Sequence, residues 1–159
     1  MSRSQDVLLD PPIEDGVVAG FDGSRAALCA VEAAADQAAY RGCTLHVVRA
    51  WMLSGAAYET DAPAGTVPSL AEVDEAVRAS VERAVESARR GRPNLTVVAH
   101  VHHGKAAQTL VEASRRAELV VVSRRGQGGF VDLLLGSTAD QVVRHARSAV
   151  LVVRPTESG

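Results

Sequence analysis

The sequence predicts an α/β fold, a doubly wound five-stranded parallel sheet with helices on both faces. Short apolar runs alternate along the chain with segments of helical periodicity, and several of these runs are apolar on both faces, as in buried parallel strands. The 159 residues, 47% of them hydrophobic, match one domain with a single core. Right-handed crossovers between such strands favour the strand order 3-2-1-4-5, with 2-1-3-4-5 as the alternative in this class.

The residues at their ends indicate where the first strand and the first helix begin and stop. Residues 16–21 are apolar and run into a turn with the sequence Asp-Gly-Ser. Ser24 is a residue type that caps helices, and the alanine-rich stretch from Arg25 to Arg41 follows it. Gly42 supplies the residue that commonly ends a helix, so the pattern predicts a helix over this whole stretch.

The middle of the chain predicts a strand, a long loop and a second helix. Residues 44–51 are rich in strand formers, whereas residues 52–68 contain glycines and prolines without any sustained period. Ser69 and Glu72 have the spacing of a capping box, and apolar residues then recur at helical spacing up to Gly91.

Residues 95–102 alternate between apolar and more polar positions, which predicts a strand toward the edge of the sheet. His100, His102 and His103 raise the hypothesis of a metal site, but no second cluster of ligand residues accompanies them. We therefore interpret these histidines as polar positions on an edge strand. A helix over residues 106–116 and the fully apolar strand 119–122 are predicted next.

A glycine-rich, arginine-bearing loop follows directly after that strand and is the clearest functional signal. Arg124, Arg125 and Gly126 open it, and Ser137 with Asp140 has the spacing of a further capping box and helix. Glycines let backbone N–H groups approach a phosphate, and a helix N-terminus completes such a site. The loop therefore predicts a nucleotide phosphate site, with either arginine as a candidate for pairing with phosphates.

Composition excludes several classes of function. A net charge of -2 gives no reason to expect nucleic acid or an anionic membrane as partner, and no apolar run approaches the length of about 18 residues that spans a bilayer. Residues 1–13 lack the pattern of a signal peptide, so we expect a disordered leader, a domain over residues 14–155 and a cytoplasmic location. Cys29 and Cys43 are interpreted as reduced packing residues.

These residues resemble the universal stress protein family over nearly all of residues 16–155. Its nucleotide-binding members carry a loop of the form G-x2-G-x9-G-S/T. Gly126 matches the second glycine, nine residues intervene, and Gly136 with Ser137 matches the closing pair. Ser123 replaces the first glycine; if that position required positive φ, a serine would be strained by roughly 1 kcal/mol. Residues 20–24 are similar to the end of the family's first strand.

The resemblance implies a set of site residues. Asp22 would contact the nucleotide or its Mg²⁺, the strand end near Ala50 would meet the adenine, and the glycine loop would hold phosphates and ribose. The candidate binding residues are Gly20, Asp22, Ala50, Ser123, Arg125, Gly126, Gly136, Ser137 and Thr138. The implied cofactor is ATP or AMP, with Mg²⁺ if ATP is bound.

The sequence and the resemblance together predict an adenine-nucleotide-binding protein that acts as a stress-response sensor or regulator. The apolar strand Ala149–Val153, if it lies at the sheet edge, predicts a homodimer, and a protein partner of unknown identity is expected. Two alternatives stay open: an interaction module of the same fold without nucleotide, and a weak ATP hydrolase. No P-loop or nucleophile elbow occurs in the sequence, so no catalytic residue is assigned.

Overall fold

The computed structural model describes Leu9 and residues 11–52, 63–126 and 134–155. Strands and helices alternate through these residues. In chain order they are β1 (Val17–Gly20), α1 (Arg25–Arg41), β2 (Leu45–Trp51), α2 (Leu70–Arg89), β3 (Val97–His103), α3 (Ala106–Ala113), β4 (Leu119–Ser123), α4 (Ser137–His145) and β5 (Ala149–Val153). All neighbouring strands are parallel, in the order β3-β2-β1-β4-β5, which confirms the predicted sheet.

Two apolar layers cover the sheet because successive strand residues point to opposite faces. Val17 and Ala19 pack with α1 and α2, whereas Val18 lies on the opposite face with residues of α3 and α4. Both faces of β1 are thus fully buried, as the continuous apolar run predicts. The central strands β1 and β4 are thus packed on both faces, and they pair side by side.

Most helix ends follow the sequence signals. The Ser24 hydroxyl accepts a hydrogen bond from the backbone of Ala27, and Gly42 ends α1 in the left-handed conformation. Ser69 forms the complete capping box that its spacing with Glu72 predicts. Helix α3 ends earlier than predicted, at Ala113 rather than at residue 116.

The start of α4 corrects one prediction. Ser137 is the first helical residue and not the cap; Gly136 holds the cap position, and no side chain hydrogen-bonds to the first turn. The predicted capping box of Ser137 and Asp140 is therefore wrong. A glycine cap has no side-chain acceptor for the first-turn N–H groups, so they stay open to a ligand or to water.

The packed part of the chain begins earlier than residue 14. Ile13, which the sequence assigns to the leader, is 7% exposed and packs in the layer beside α3 and α4, and Leu9 contacts the same layer. The rest of the proposed leader, and residues 53–62 of the predicted loop, lie outside the described residues.

Strand β3 lies at a sheet edge as predicted, but its histidines do not all face solvent. His100 is 1% exposed, and its Nε2 lies 2.9 Å from Nδ1 of His46, which is also buried. His100 therefore departs from the predicted polar edge position, since a hydrogen-bonded partner on β2 allows the imidazole to be buried. Among the described residues, no group of three potential ligand side chains is placed to hold a metal ion.

None of the helices within the described ranges is both long enough and apolar enough to cross a membrane.

Candidate functional site

A cavity of about 340 Å³ opens at the carboxyl ends of the central strands. It lies where the strand order reverses, because β1 is flanked by β2 on one side and by β4 on the other. Ligands of doubly wound sheets bind in the crevice at such a switch point. The lining residues that sequence analysis selected are Gly20, Asp22, Ala50, Ser123, Gly126, Gly136, Ser137 and Thr138.

Arg125 is the one sequence candidate that does not line this cavity. Its neighbour Arg124 does line the cavity. Apolar lining residues such as Phe21, Val48 and Leu110 were not selected from the sequence. Their sequence context is that of ordinary core residues, and only the convergence of three strands with α3 places them around a cavity.

The Asp22 carboxylate lies against Gly126. A Cβ atom added to Gly126 would lie 2.4 Å from Oδ2 of Asp22. The other carboxylate oxygen, Oδ1, accepts a hydrogen bond of 2.9 Å from the backbone N–H of Ser24. A side chain at position 126 would therefore have to displace the Asp22 carboxylate from its place in the turn after β1.

Ser123 fits the loop without backbone strain. Among the described residues, no residue other than glycine has a positive φ. The Ser123 hydroxyl donates a hydrogen bond of 2.7 Å to the backbone carbonyl of Arg125. The serine in place of the family's first glycine thus stabilises the turn at the end of β4 through a local hydrogen bond.

The first turn of α4 forms the adjoining wall, beside the loop after β4. Gly136 donates its N–H to the Arg124 carbonyl at 2.7 Å, which fixes the start of the helix against the loop after β4. Ser137 and Thr138 follow it and line the cavity. Because no side chain caps these residues, the N–H groups and the positive end of the helix dipole suit an anion.

The electrostatics of this wall are positive. Burial, and then the positive charges of Arg125 and Arg154, lower the pKa of the Arg124 guanidinium. Asp22 supplies a carboxylate to the same cavity, where it lies against Gly126. The cavity therefore combines an anion-binding wall, a single acidic group and an apolar end formed by Val48, Ala50 and Leu110. Fold and crevice together define a doubly wound α/β protein with the features of an anion-binding site.

The chain belongs to the universal stress protein family, whose family model matches residues 15–154. A universal stress protein of Mycolicibacterium smegmatis is 34% identical over 139 residues, covering 87% of this chain and 45% of the relative. A universal stress protein of Mycobacterium tuberculosis is 33% identical over 152 residues, covering 96% of this chain and 49% of the relative. The chain thus spans about half the length of the curated relatives it matches.

Solved structures share the fold. A universal stress protein in complex with cAMP has a TM-score of 0.65 at 24% identity, covering 89% of this chain and 98% of that one. The Archaeoglobus fulgidus protein in complex with dAMP has a TM-score of 0.63 at 20% identity, with coverages of 88% and 98%. An Arabidopsis thaliana family member with AMP bound has a TM-score of 0.56 at 12% identity, with coverages of 90% and 93%.

Proposed function

We propose that this chain binds an adenine nucleotide, ATP or AMP, in the cavity at the switch point and acts as a stress-response sensor or regulator. The observation that carries the proposal is the convergence of the Asp22 turn, the Gly126 loop and the open first turn of α4 on one cavity. Its volume of about 340 Å³ falls within the range of about 300–1,000 Å³ of small-molecule sites.

The nucleotide's parts correspond to different walls of the cavity. Phosphates meet Gly126, Gly136 and the first turn of α4, where no side chain caps the backbone N–H groups that follow Gly136. The hydroxyl groups of Ser137 and Thr138 are available to the ribose or to a phosphate. The adenine fits the apolar end near Ala50, where flat bases find apolar contact.

Asp22 fits a role in holding Mg²⁺ when ATP is the ligand. Mg²⁺ commonly binds through one or two carboxylates together with substrate phosphates and water, so one acidic side chain is sufficient. The Asp22 carboxylate lies against the glycine loop on the side where phosphates would enter. Bound Mg²⁺ would offset the charge of the phosphates beside this carboxylate.

Related proteins support the choice of nucleotide. The three solved structures described above carry cAMP, dAMP and AMP, all adenine nucleotides, on the fold of this chain. A stress-response role rests on membership of the family. In this proposal, occupancy of the site changes the interaction of the chain with a protein partner of unknown identity.

We also propose a homodimer through β5. This strand is an edge of the described sheet, and Val150 through Val153 are only half-buried. An apolar edge strand is an aggregation hazard unless it is covered. A second copy placed by a twofold axis would cover both edges at once.

Calorimetric titration with ATP and Mg²⁺ tests the nucleotide site, after the nucleotide content of the denatured stock has been measured. Saturable binding is expected, and Gly136→Val should abolish it because added atoms would fill the approach to the α4 N-terminus. Leu134→Ala is the control, since Leu134 is 76% exposed and does not line the cavity. A stock free of nucleotide and no binding at millimolar ATP would refute the proposal and favour an interaction module of the same fold.

A further inference from the structure

His102 lies on the strand next to the apolar end of the cavity. The register of β2 and β3 pairs Ala50 with His102, and Ala50 lines the cavity. Adjacent strands are about 4.8 Å apart, and residues paired in register place their side chains on the same face of the sheet. The imidazole of His102 therefore lies on the face that carries the cavity, one strand beyond Ala50.

The ring of His102 is directed toward the carboxyl end of β3. A Cβ atom added to Gly104 would lie 3.1 Å from both Cδ2 and Nε2 of His102, so the glycine leaves the space beside the ring. The Gly104 N–H donates to the Trp51 carbonyl at 3.0 Å, which holds the end of β3 against β2. Ala106, in the first turn of α3, lines the cavity. His102 is thus placed between two parts of the cavity wall, the end of β2 and the start of α3.

The imidazole of His102 is available to a ligand. It is half-buried, and none of the hydrogen bonds that join described side chains involves it. His100 on the same face differs, because it is buried and its ring nitrogen lies within hydrogen-bond distance of His46. The side chain of Ala50, between His102 and the rest of the cavity, is only a methyl group.

Building on the proposed nucleotide site, we propose that His102 is a specificity-determining residue whose ring packs against the purine base. The base occupies the apolar end formed by Val48, Ala50 and Leu110. A purine is longer than a pyrimidine by its second ring, so it extends past Ala50 to the imidazole, whereas a pyrimidine ends short of it. Stacking of a base on a flat side chain needs no fixed hydrogen bond, so this contact selects by the size of the base.

Titration with ATP and CTP tests this inference, because the two nucleotides share the ribose and the triphosphate and differ only in the base. The wild-type protein is expected to bind ATP at least about tenfold more tightly than CTP, since stacking on one ring contributes about one order of magnitude or more in affinity. His102→Ala should weaken ATP binding about tenfold and leave CTP binding within about twofold. The unchanged CTP affinity also shows that the variant is folded.

His103→Ala is the matched control. His103 is the next residue, on the opposite face of β3, and its exposed ring packs edge-on against Trp51 with 4.9 Å between the ring centroids. This variant should leave both affinities within about twofold, because the stacking contact with the base is kept.

His102→Gln keeps a polar side chain without a ring, so it should reproduce the loss of ATP affinity, and it decides the matter if His102→Ala fails to fold. ATP binding within about twofold of wild type in the His102 variants, or equal losses for ATP and CTP, would overturn the inference and leave the nucleotide site standing. Absence of binding of both nucleotides by the wild-type protein would refute the proposed function itself.

Discussion

The carboxylate of Asp22 lies directly against Gly126, so that a single added methyl group would come within 2.4 Å of Oδ2. Asp22 follows β1 and Gly126 follows β4, two strands that are neighbours only because the chain order reverses between them. Residues about a hundred positions apart in the sequence thereby share one wall of the cavity. The contact means that only glycine fits position 126 without displacing this carboxylate, although its φ is not positive.

Gly126→Ala should lower ATP affinity at least about tenfold while the protein stays folded. The new methyl group displaces the Asp22 carboxylate, which is a side chain that can move, so the cost falls on the site more than on the core. Calorimetric titration and thermal unfolding measure the two effects. In the double variant Asp22→Ala/Gly126→Ala the overlap is removed, so Gly126→Ala should add little to the loss of ATP affinity that Asp22→Ala alone causes. Additive losses of ATP affinity in the double variant would contradict the clash.

Ser123→Gly should destabilise the protein by about 1 kcal/mol, because the hydrogen bond to the Arg125 carbonyl is lost and the unfolded chain gains freedom. ATP affinity should change by less than about threefold, because the backbone of Ser123 does not have a positive φ and so carries no strain that glycine could relieve. Chemical denaturation and titration give the two quantities. A tenfold gain in affinity would instead show that the serine obstructs the ligand.

Two serines with the same capping-box spacing should respond differently to alanine. Ser69→Ala is expected to lower the free energy of unfolding by about 1 kcal/mol, because the Ser69 hydroxyl accepts a hydrogen bond from the backbone N–H of Glu72 at the start of α2. Ser137→Ala should leave the free energy of unfolding nearly unchanged, because Ser137 is the first helical residue and caps nothing. Denaturant unfolding of both variants is the measurement, and equal losses would contradict the assignment of Gly136 as the cap.

The buried His46 predicts a dependence of stability on pH. Burial lowers the pKa of His46 below the ordinary imidazole value of 6.5, an effect that the nearby Asp15 carboxylate only partly opposes. The unfolded chain therefore binds more protons than the native protein as pH falls below 6.5, and stability should decrease in that range.

Denaturant unfolding between pH 7.5 and pH 5 measures this dependence. His46→Asn removes the titrating group and should make the decline shallower, whereas His145→Asn, at an exposed position, should not. An unchanged slope in His46→Asn would assign the effect to other groups.

Much of the fold is predictable from local patterns. Buried strands such as β1 and β4 are continuous apolar runs, and α2 carries a capping box and a regular apolar stripe. Each of these signals lies within a few consecutive residues, so the local sequence is enough to predict the strand or helix. His100 shows the limit, because its burial depends on His46, a partner on another strand.

The glycine and hydroxyl residues of the site are predictable because they stand at a recognisable spacing. Gly126, Gly136 and Ser137 line the cavity as expected from the loop. The choice between Arg124 and Arg125 was not available from the sequence, because consecutive residues at a strand end point to opposite sides. That choice depends on which face of β4 carries the cavity.

The sequence by itself determined the order of strands and helices, the glycine loop and membership of the family, because periodicity, caps and motif spacing are local properties of the chain. Tertiary structure alone decided that Asp22 meets Gly126, that Gly136 rather than Ser137 begins α4, and that Arg124 lines the cavity. Each of these depends on the register between strands and on the packing of a helix against a distant loop. These contacts depend on how the whole core packs, so no short stretch of sequence predicts them.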